Sequence, residues 1–348
     1  MPRYMRWPVL VAGALAFSLA GWLLASVIRT GTPASAAGNP GSRTQRHAAD
    51  RRPGSSGWAE GRHGPASTCP GAARACPLSV STASLPEATL GAQYDVPMLA
   101  TGGNAPAYTW SVSNRWLPPG LSLSPAGIVS GSPVLAGTFQ FTVRAADSAG
   151  DSAAQTLSLT VGGCTTVVTG TRNRPLTIGA GVTCLDQATI SGPLTITAGA
   201  VVSVQASTLG GPLSAQGPAR LAVCGSTISG PATVTGAAGP VLLGGPGGTL
   251  CPADTITGLV TVTGDAGGVT LDGATISGPA RVAGNHGQVT VSGNTIGGPA
   301  SITGNTGGTV VAGNSVSGSL SCSGNQPAPA DRGEPNISSG PATGQCAL

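Results

Sequence analysis

Lysine is absent from this chain of 348 residues: all 16 basic residues are arginine. Aromatic residues make up 3% of the sequence, charged residues 8%, and histidine occurs three times. These scarcities narrow the possible functions. A nucleic-acid surface needs clustered basic residues with interleaved aromatics. Here Arg3, Arg6 and Arg29 lie in or beside an N-terminal apolar run, and Arg43, Arg46, Arg51, Arg52, Arg62 and Arg74 lie in the polar stretch behind it. The formal charge of +4 therefore belongs to the N-terminal part, and the rest is near neutral or slightly acidic. No Trp, Tyr or Phe occurs after residue 162, so that part has no ring to stack on a sugar or a base. The exclusion of lysine fits a GC-rich genome, such as an actinobacterial one.

What the chain has instead is glycine, 56 residues, and a repeat. Ile190, Leu209, Ile228, Ile256, Ile276, Ile296, Val316 and Ile337 recur at spacings of 19, 19, 28, 20, 20, 20 and 21. A glycine follows two residues later in seven of these eight units, from Gly192 to Gly318. A fixed period of this length marks a stacked repeat architecture. The unit is rich in Gly, Thr and Val and poor in helix formers, so it reads as one coil of a parallel β-helix. Apolar residues two apart, such as Val202 and Val204 or Leu194 and Ile196, mark short strands with one buried face. Stacking coils about 4.8 Å apart turns each such position into an internal column.

About eight coils of about 20 residues are expected, in a right-handed helix with three corners. Asp265, Asn285, Asn305 and Asn325 form one polar column, and Asp254, Asn294 and Asn314 another. Both are read as turn ladders, because Asn tolerates a left-handed backbone and its amide can bond the next Asn. The glycine column is read as the third corner. The 28-residue spacing contains Gly244-Gly245-Pro246-Gly247-Gly248, read as a loop extruded from its coil. Ile337 is read as the return of the chain to the core column.

At the N-terminus, Arg3 and Arg6 precede an uncharged apolar run from Trp7 to Ile28, long enough as a helix to span a bilayer. The basic start, the apolar centre and Ala34-Ser35-Ala36 before Ala37 also fit a secretory signal. Residues 1–36 are therefore expected to form a hydrophobic helix, either a cleaved signal or a retained membrane anchor. Both readings export the rest. Residues 37–76 lack apolar periodicity and read as a disordered Arg/Gly/Pro-rich linker. The eight cysteines suit an oxidising compartment and match no zinc spacing. Nearest-neighbour pairing is the simplest connectivity. Cys322 takes the inward column of Ile302, so a Cys322–Cys346 disulfide is expected to hold down a cap at the end of the domain at 163–348.

Residues 77–162 change character. Short alternating runs at Tyr108–Val112, Leu121–Leu123, Phe139–Val143 and Leu157–Val161 are separated by turn residues, the pattern of a β-sandwich. Leu117-Pro118-Pro119-Gly120-Leu121-Ser122-Leu123, Gly127-Ile128-Val129-Ser130-Gly131-Ser132-Pro133, Ala136-Gly137-Thr138-Phe139 and Ala146-Asp147-Ser148-Ala149-Gly150 stand in that order. This segment resembles the immunoglobulin-like, or cadherin-like, domain of bacterial surface proteins. The resemblance implies a sandwich on a secreted or surface protein and implies no catalysis. Some cadherin-like domains bind calcium through acidic loops, and Asp147 and Asp151 are the candidates here. Calcium takes about six to eight oxygens, so two turn aspartates fall short and Asp147 is read as a turn former. The stretch from Cys322 to Cys346 also resembles a recurrent ending of exported actinobacterial proteins.

Parallel β-helices also carry polysaccharide-cleaving enzymes, whose acid–base chemistry generally needs two placed carboxylates. Asp254 and Asp265 fall in the Asn columns, and Asp272 has Ser292 as its equivalent in the next coil. One surface feature stands out. Thr195 and Thr197, Thr233 and Thr235, Thr261 and Thr263, and Ser301 and Thr303 flank inward residues and form an outward hydroxyl ladder, interrupted by Gln216 and Arg281. Such a face suits a repeating ligand such as a glycan or ice, although Thr and Ser are ordinary strand-surface residues. The expected protein is all-β, exported or membrane-anchored, and non-enzymatic. Its expected role is display, adhesion or envelope structure, with a glycan or another surface protein as partner and no cofactor. The alternative is a carbohydrate-binding or carbohydrate-active β-helix protein acting on extracellular polysaccharide.

Overall fold

The computed structural model describes residues 76–103, 107–114, 116–245 and 251–347. The hydrophobic helix expected at 1–36, the linker up to residue 75 and Cys69 lie outside the described residues. Every described element is a strand, and none is a helix.

The first domain forms because its runs alternate. In Gly137–Ala146, Phe139, Phe141, Val143 and Ala145 point inward and are buried, while the residues between them face out. This strand pairs antiparallel with Ser152–Gly162 on one side and Thr109–Asn114 on the other, and Ala88–Thr89 completes the sheet. Tyr94–Pro97, Ile128–Gly131 and Leu121–Leu123 form the facing sheet. Trp110 and Leu135 fill the core between them.

Gly162 and Gly163 lead directly into a β-solenoid. A nine-stranded parallel sheet takes one strand from each coil, from Leu176–Ile178 to Ala342–Gly344. A 15-stranded sheet supplies the other two sides and is continuous through Gly181–Ile190, which passes from one side to the other. The repeated aliphatic column pairs in register from Ile190 through Leu209, Ile228, Ile256, Ile276 and Ile296 to Val316, all buried.

Among the described residues the solenoid has nine coils, one more than the repeated aliphatic column marks. Arg172 pairs with Ile190, so the first coil carries an arginine where the others carry an aliphatic residue, and the repeat pattern misses it. The last coil differs in another way. Ser338, not Ile337, pairs with Val316, and Ile337 is turned out with 72% of its surface exposed. Gly340 lies against Gly318 and completes the glycine column.

That column is set by close stacking of coils. A Cβ on Gly258 would lie 2.5 Å from the Pro231 nitrogen, and one on Gly298 2.8 Å from the Pro279 nitrogen. The asparagine ladders lie inside the solenoid. Asn285, Asn305 and Asn325 point into the solenoid and are buried. The left-handed residue is the glycine before each one, Gly284 with φ 64° for example, where no Cβ penalty arises.

The sandwich packs on the outside of the solenoid. Outward residues of successive coils, Cys184, Ser203, Ala222 and Leu242, are paired in register and buried beneath it. Cys184, Ala222, Cys224, Leu242 and Cys251 belong to the same apolar cluster as the sandwich core. The Ala136 amide donates to Ser203 Oγ at 3.2 Å, and Gln205 Nε2 donates to the Ala136 carbonyl. Disulfides join Cys164 to Cys184, Cys224 to Cys251 and Cys322 to Cys346, with Cα atoms 5.8, 5.2 and 5.2 Å apart. Cys76 is also disulfide-bonded.

Candidate ligand-binding face

The nine-stranded sheet presents the hydroxyl ladder. Thr195, Ser214, Thr233, Thr261, Arg281, Ser301 and Ser321 pair in that order along one outward column. Gln216, Thr235, Thr263, Ala283, Thr303 and Ser323 pair along the second. Thr197 stands beyond Ile196, and its Oγ1 donates to the Ile178 carbonyl at 3.3 Å. The predicted residues therefore share one face, but Arg281 crosses one column and the buried Ala283 is a further gap in the other.

A more regular hydroxyl column lies on another side of the solenoid. The residue before each inward aliphatic is Thr189, Thr208, Thr227, Thr255, Thr275, Thr295 and then Ser315, paired in register. Thr171 of the first coil extends it. The residue after each aliphatic is Ser191, Gly210, Ser229, Thr257, Ser277, Gly297 or Ser317, whose amide bonds the preceding coil, as Ser229 does to Leu209 at 2.8 Å. A hydroxyl residue therefore also follows the inward residue in five of these seven coils, and neither column contains a charged side chain from Thr189 to Ser317. The signal for this face was in the repeat itself, as a Thr or Ser directly before each core aliphatic residue.

Asp147 works as a turn residue. Its Oδ1 accepts from the amides of Ala149 and Asp151 at 3.0 and 2.9 Å. Asp151 is exposed in the same turn. No group of three or more His, Cys, Asp or Glu side chains comes together among the described residues.

The other carboxylates sit in distinct environments. The loop expected at 244–248 lies largely outside the described residues, and Asp254, directly before the strand Thr255–Ile256, is buried. Its Oδ1 accepts from the Ser226 amide at 2.8 Å and its Oδ2 from the Gly244 amide at 2.6 Å. Burial pushes its carboxyl up to about 6, against the pull of those two amides. Asp265 heads the other ladder, with Oδ1 on the Ala237 amide and Oδ2 unpartnered. Burial raises its carboxyl too, against the Ala237 bond. Asp272 accepts from Ser292 Oγ at 2.8 Å. Burial pushes Asp272 up, the Ser292 bond pulls it down, and the charge of Glu334 pushes it up further. Glu334 comes from the non-repeating cap, so the 20-residue pattern did not reveal it as a neighbour.

A cleft of about 220 Å³ opens between sandwich and solenoid, with Ala136, Val161, Val167, Leu185 and Gln205 in its wall. Among the described residues lining it, Asp186 is the one ionisable side chain.

The geometry defines a class: an immunoglobulin-like domain docked on a β-solenoid, closed by disulfides. Residues 77–162 match the family model described as "Putative Ig domain". No curated protein matches the chain. Among solved structures, a "putative alpha-galactosidase/melibiase" from Bacteroides fragilis is similar at 20% identity. That likeness covers 28% of this chain and 21% of the other, with a TM-score of 0.23, and it carries no weight for fold or activity. An immunoglobulin-like domain, a β-solenoid and the three disulfides within that solenoid together fit a surface or extracellular protein. Among the described residues no helix is long and apolar enough to cross a membrane.

Proposed function

We propose that this is a non-enzymatic surface protein. Its sandwich and solenoid form a presentation unit for display, adhesion or envelope structure. The observation that carries this reading is the uncharged hydroxyl face running through the coils from Thr189 to Ser315. A repeated, shallow, neutral surface suits an extended, uncharged partner with its own repeat, and an envelope glycan has that chemistry. Support also comes from the carboxylates. Asp254 and Asp265 serve the coil ladders, Asp147 serves a turn, and the interdomain cleft offers Asp186 alone, whereas glycosidic acid–base chemistry generally uses two carboxyls.

The test is a pull-down of the intact protein on insoluble envelope polysaccharide, beside a variant with Thr255 and Thr275 both replaced by Arg. Retention of the native protein and loss of the variant is the expected result. Equal retention of both would remove the face from the account. The carbohydrate-active alternative rests on Asp272 and Glu334, which share one electrostatic neighbourhood. Release of reducing ends from the polysaccharide, abolished by Asp272→Asn, would favour it.

A further inference from the structure

Asp265 stands at the head of a ladder whose other members reveal what its side chain must do. Each Asn places Oδ1 toward the amide of the coil before. Asn285 Oδ1 accepts from the Asp265 amide at 3.0 Å and Asn305 Oδ1 from the Asn285 amide at 3.0 Å. Each Nδ2 then donates twice. Asn285 Nδ2 reaches Asn305 Oδ1 at 2.9 Å and the Val262 carbonyl at 3.4 Å. Asn305 Nδ2 reaches Asn325 Oδ1 at 2.8 Å and the Val282 carbonyl at 3.3 Å. The ladder closes at Gln345, whose Oε1 accepts from Asn325 and whose Nε2 returns to the Asn325 carbonyl at 2.9 Å.

Asp265 keeps the Oδ1 half of this scheme, accepting from the Ala237 amide. Its Oδ2 then occupies the place of the Nδ2. By register, Val234 pairs with Val262, so the carbonyl facing that place is that of Val234. The other group facing it is Asn285 Oδ1. Both are acceptors. A carboxylate there would set three oxygens together without a hydrogen, and Oδ2 has no donor partner. A buried polar atom left in that state costs about 1–3 kcal/mol.

We propose that Asp265 is held as the neutral carboxylic acid in the folded solenoid, its Oδ2 hydroxyl donating to the Val234 carbonyl. The joint between the fourth coil, at Ala232–Thr235, and the fifth, at Val260–Thr263, is thereby strengthened by acid. The direction in which burial moves this carboxyl agrees. Among the described residues no other ionisable group accounts for it. Arg281 points outward from the next coil, His286 is exposed beyond it, Asp272 points outward on its own coil, and Arg220 lies two coils away. The residues that meet the carboxyl, Ala237, Val234 and Asn285, carry no charge. On unfolding, the chain releases the proton to water at neutral pH. The stabilisation is complete below about pH 4, the ordinary carboxylate range, and is lost as pH rises through the folded-state value. The inference does not depend on the surface-display reading.

The test compares unfolding of the intact protein with that of Asp265→Asn from about pH 4 to pH 8. Asn restores the donor of the ladder, so the variant gains about tenfold or more in folding equilibrium constant at the neutral end. That gain shrinks toward acid. A variant no more stable than the native protein at neutral pH, or a gain independent of pH, overturns the proposal. Infrared spectroscopy of the native protein gives a second readout that needs no folded variant. A protonated carboxyl band persisting above the ordinary carboxylate range supports the proposal, provided that site-specific carbon-13 labelling assigns it to Asp265. Ionisation of Asp265 within the ordinary range overturns it.

Discussion

Replacing Ala222 by Asp separates the two domains in a predictable way. Ala222 is outward on its strand yet 0% exposed, because the sandwich covers it. A carboxylate there meets Ser203 and Leu242 on its own sheet and apolar sandwich residues above. Keeping an unpaired charge in such a place costs several kcal/mol. On the solenoid side, what undocking would expose is modest: Leu242 is worth about 2 kcal/mol and the small residues Cys184 and Ala222 less. The hydrogen bonds from Ala136 to Ser203 and from Gln205 to Ala136 add about 1 kcal/mol each. The two sides are similar in size, so the carboxylate reaches water by lifting the sandwich off. The solenoid stays intact, because Leu221 and Val223 still point inward. Hydrogen exchange reads the outcome directly. In Ala222→Asp the Ala136 amide loses its protection while amides of the aliphatic columns keep theirs. Native protection of the Ala136 amide in the folded variant would refute the docking.

Asp254 gives a pH prediction of known sign. Its folded carboxyl is raised from 3.8 to about 6, so its contribution is full below about pH 4 and is lost as pH passes about 6. Roughly two pH units correspond to about 3 kcal/mol, and Asp254→Asn flattens the pH–stability profile by about that amount. Gly278→Ala places a Cβ 2.9 Å from the Gly258 carbonyl carbon, forces two coils apart and lowers stability by about 1–3 kcal/mol, as thermal melts will show. Ala206 holds φ 45° at a corner where Gly225, Gly273, Gly293 and Gly313 hold 60–63°, so Ala206→Gly raises stability by about 1 kcal/mol. Removing the Cys322–Cys346 link, which spans 24 residues, costs about 3 kcal/mol, seen as early loss of protection in the last coil.

The solenoid was legible because one column of aliphatics and one of glycines repeat through it, and both have a direct physical cause. Where that cause lapses, the reading lapses too. Arg172 holds the first coil's place in the column at the solvent-facing end, so an aliphatic search begins one coil late. Ile337 attracted the register because it is apolar, yet Asn336 and Gly340 fix the coil one residue later. Asn336 Oδ1 accepts from the Asn314 amide at 3.0 Å, and only Gly fits against Gly318. Weighting glycine and asparagine over hydrophobicity would have placed Ser338 correctly. The asparagine ladders were legible, and Asn285 Nδ2 does bond Asn305 Oδ1, but sequence shows a polar residue beside a turn and not that it points inward. The docking of the sandwich had a quieter signal. Outward positions that are Thr270 and Thr290 in later coils are Ala222 and Leu242 in earlier ones. Among the site residues, the eight predicted hydroxyls do share a face. The more regular column beginning at Thr171 was overlooked because Thr before Ile reads as ordinary strand composition.

The proposed function rests first on this chain being a surface or extracellular protein. Protease treatment of intact source cells, followed by quantitation of the protein and of its free thiols, tests it most directly. The account predicts that the protein is removed by external protease, and that Cys164, Cys184, Cys224, Cys251, Cys322 and Cys346 are recovered as disulfides. Protection of the protein until the cells are lysed, with those cysteines alkylated as free thiols, would contradict it.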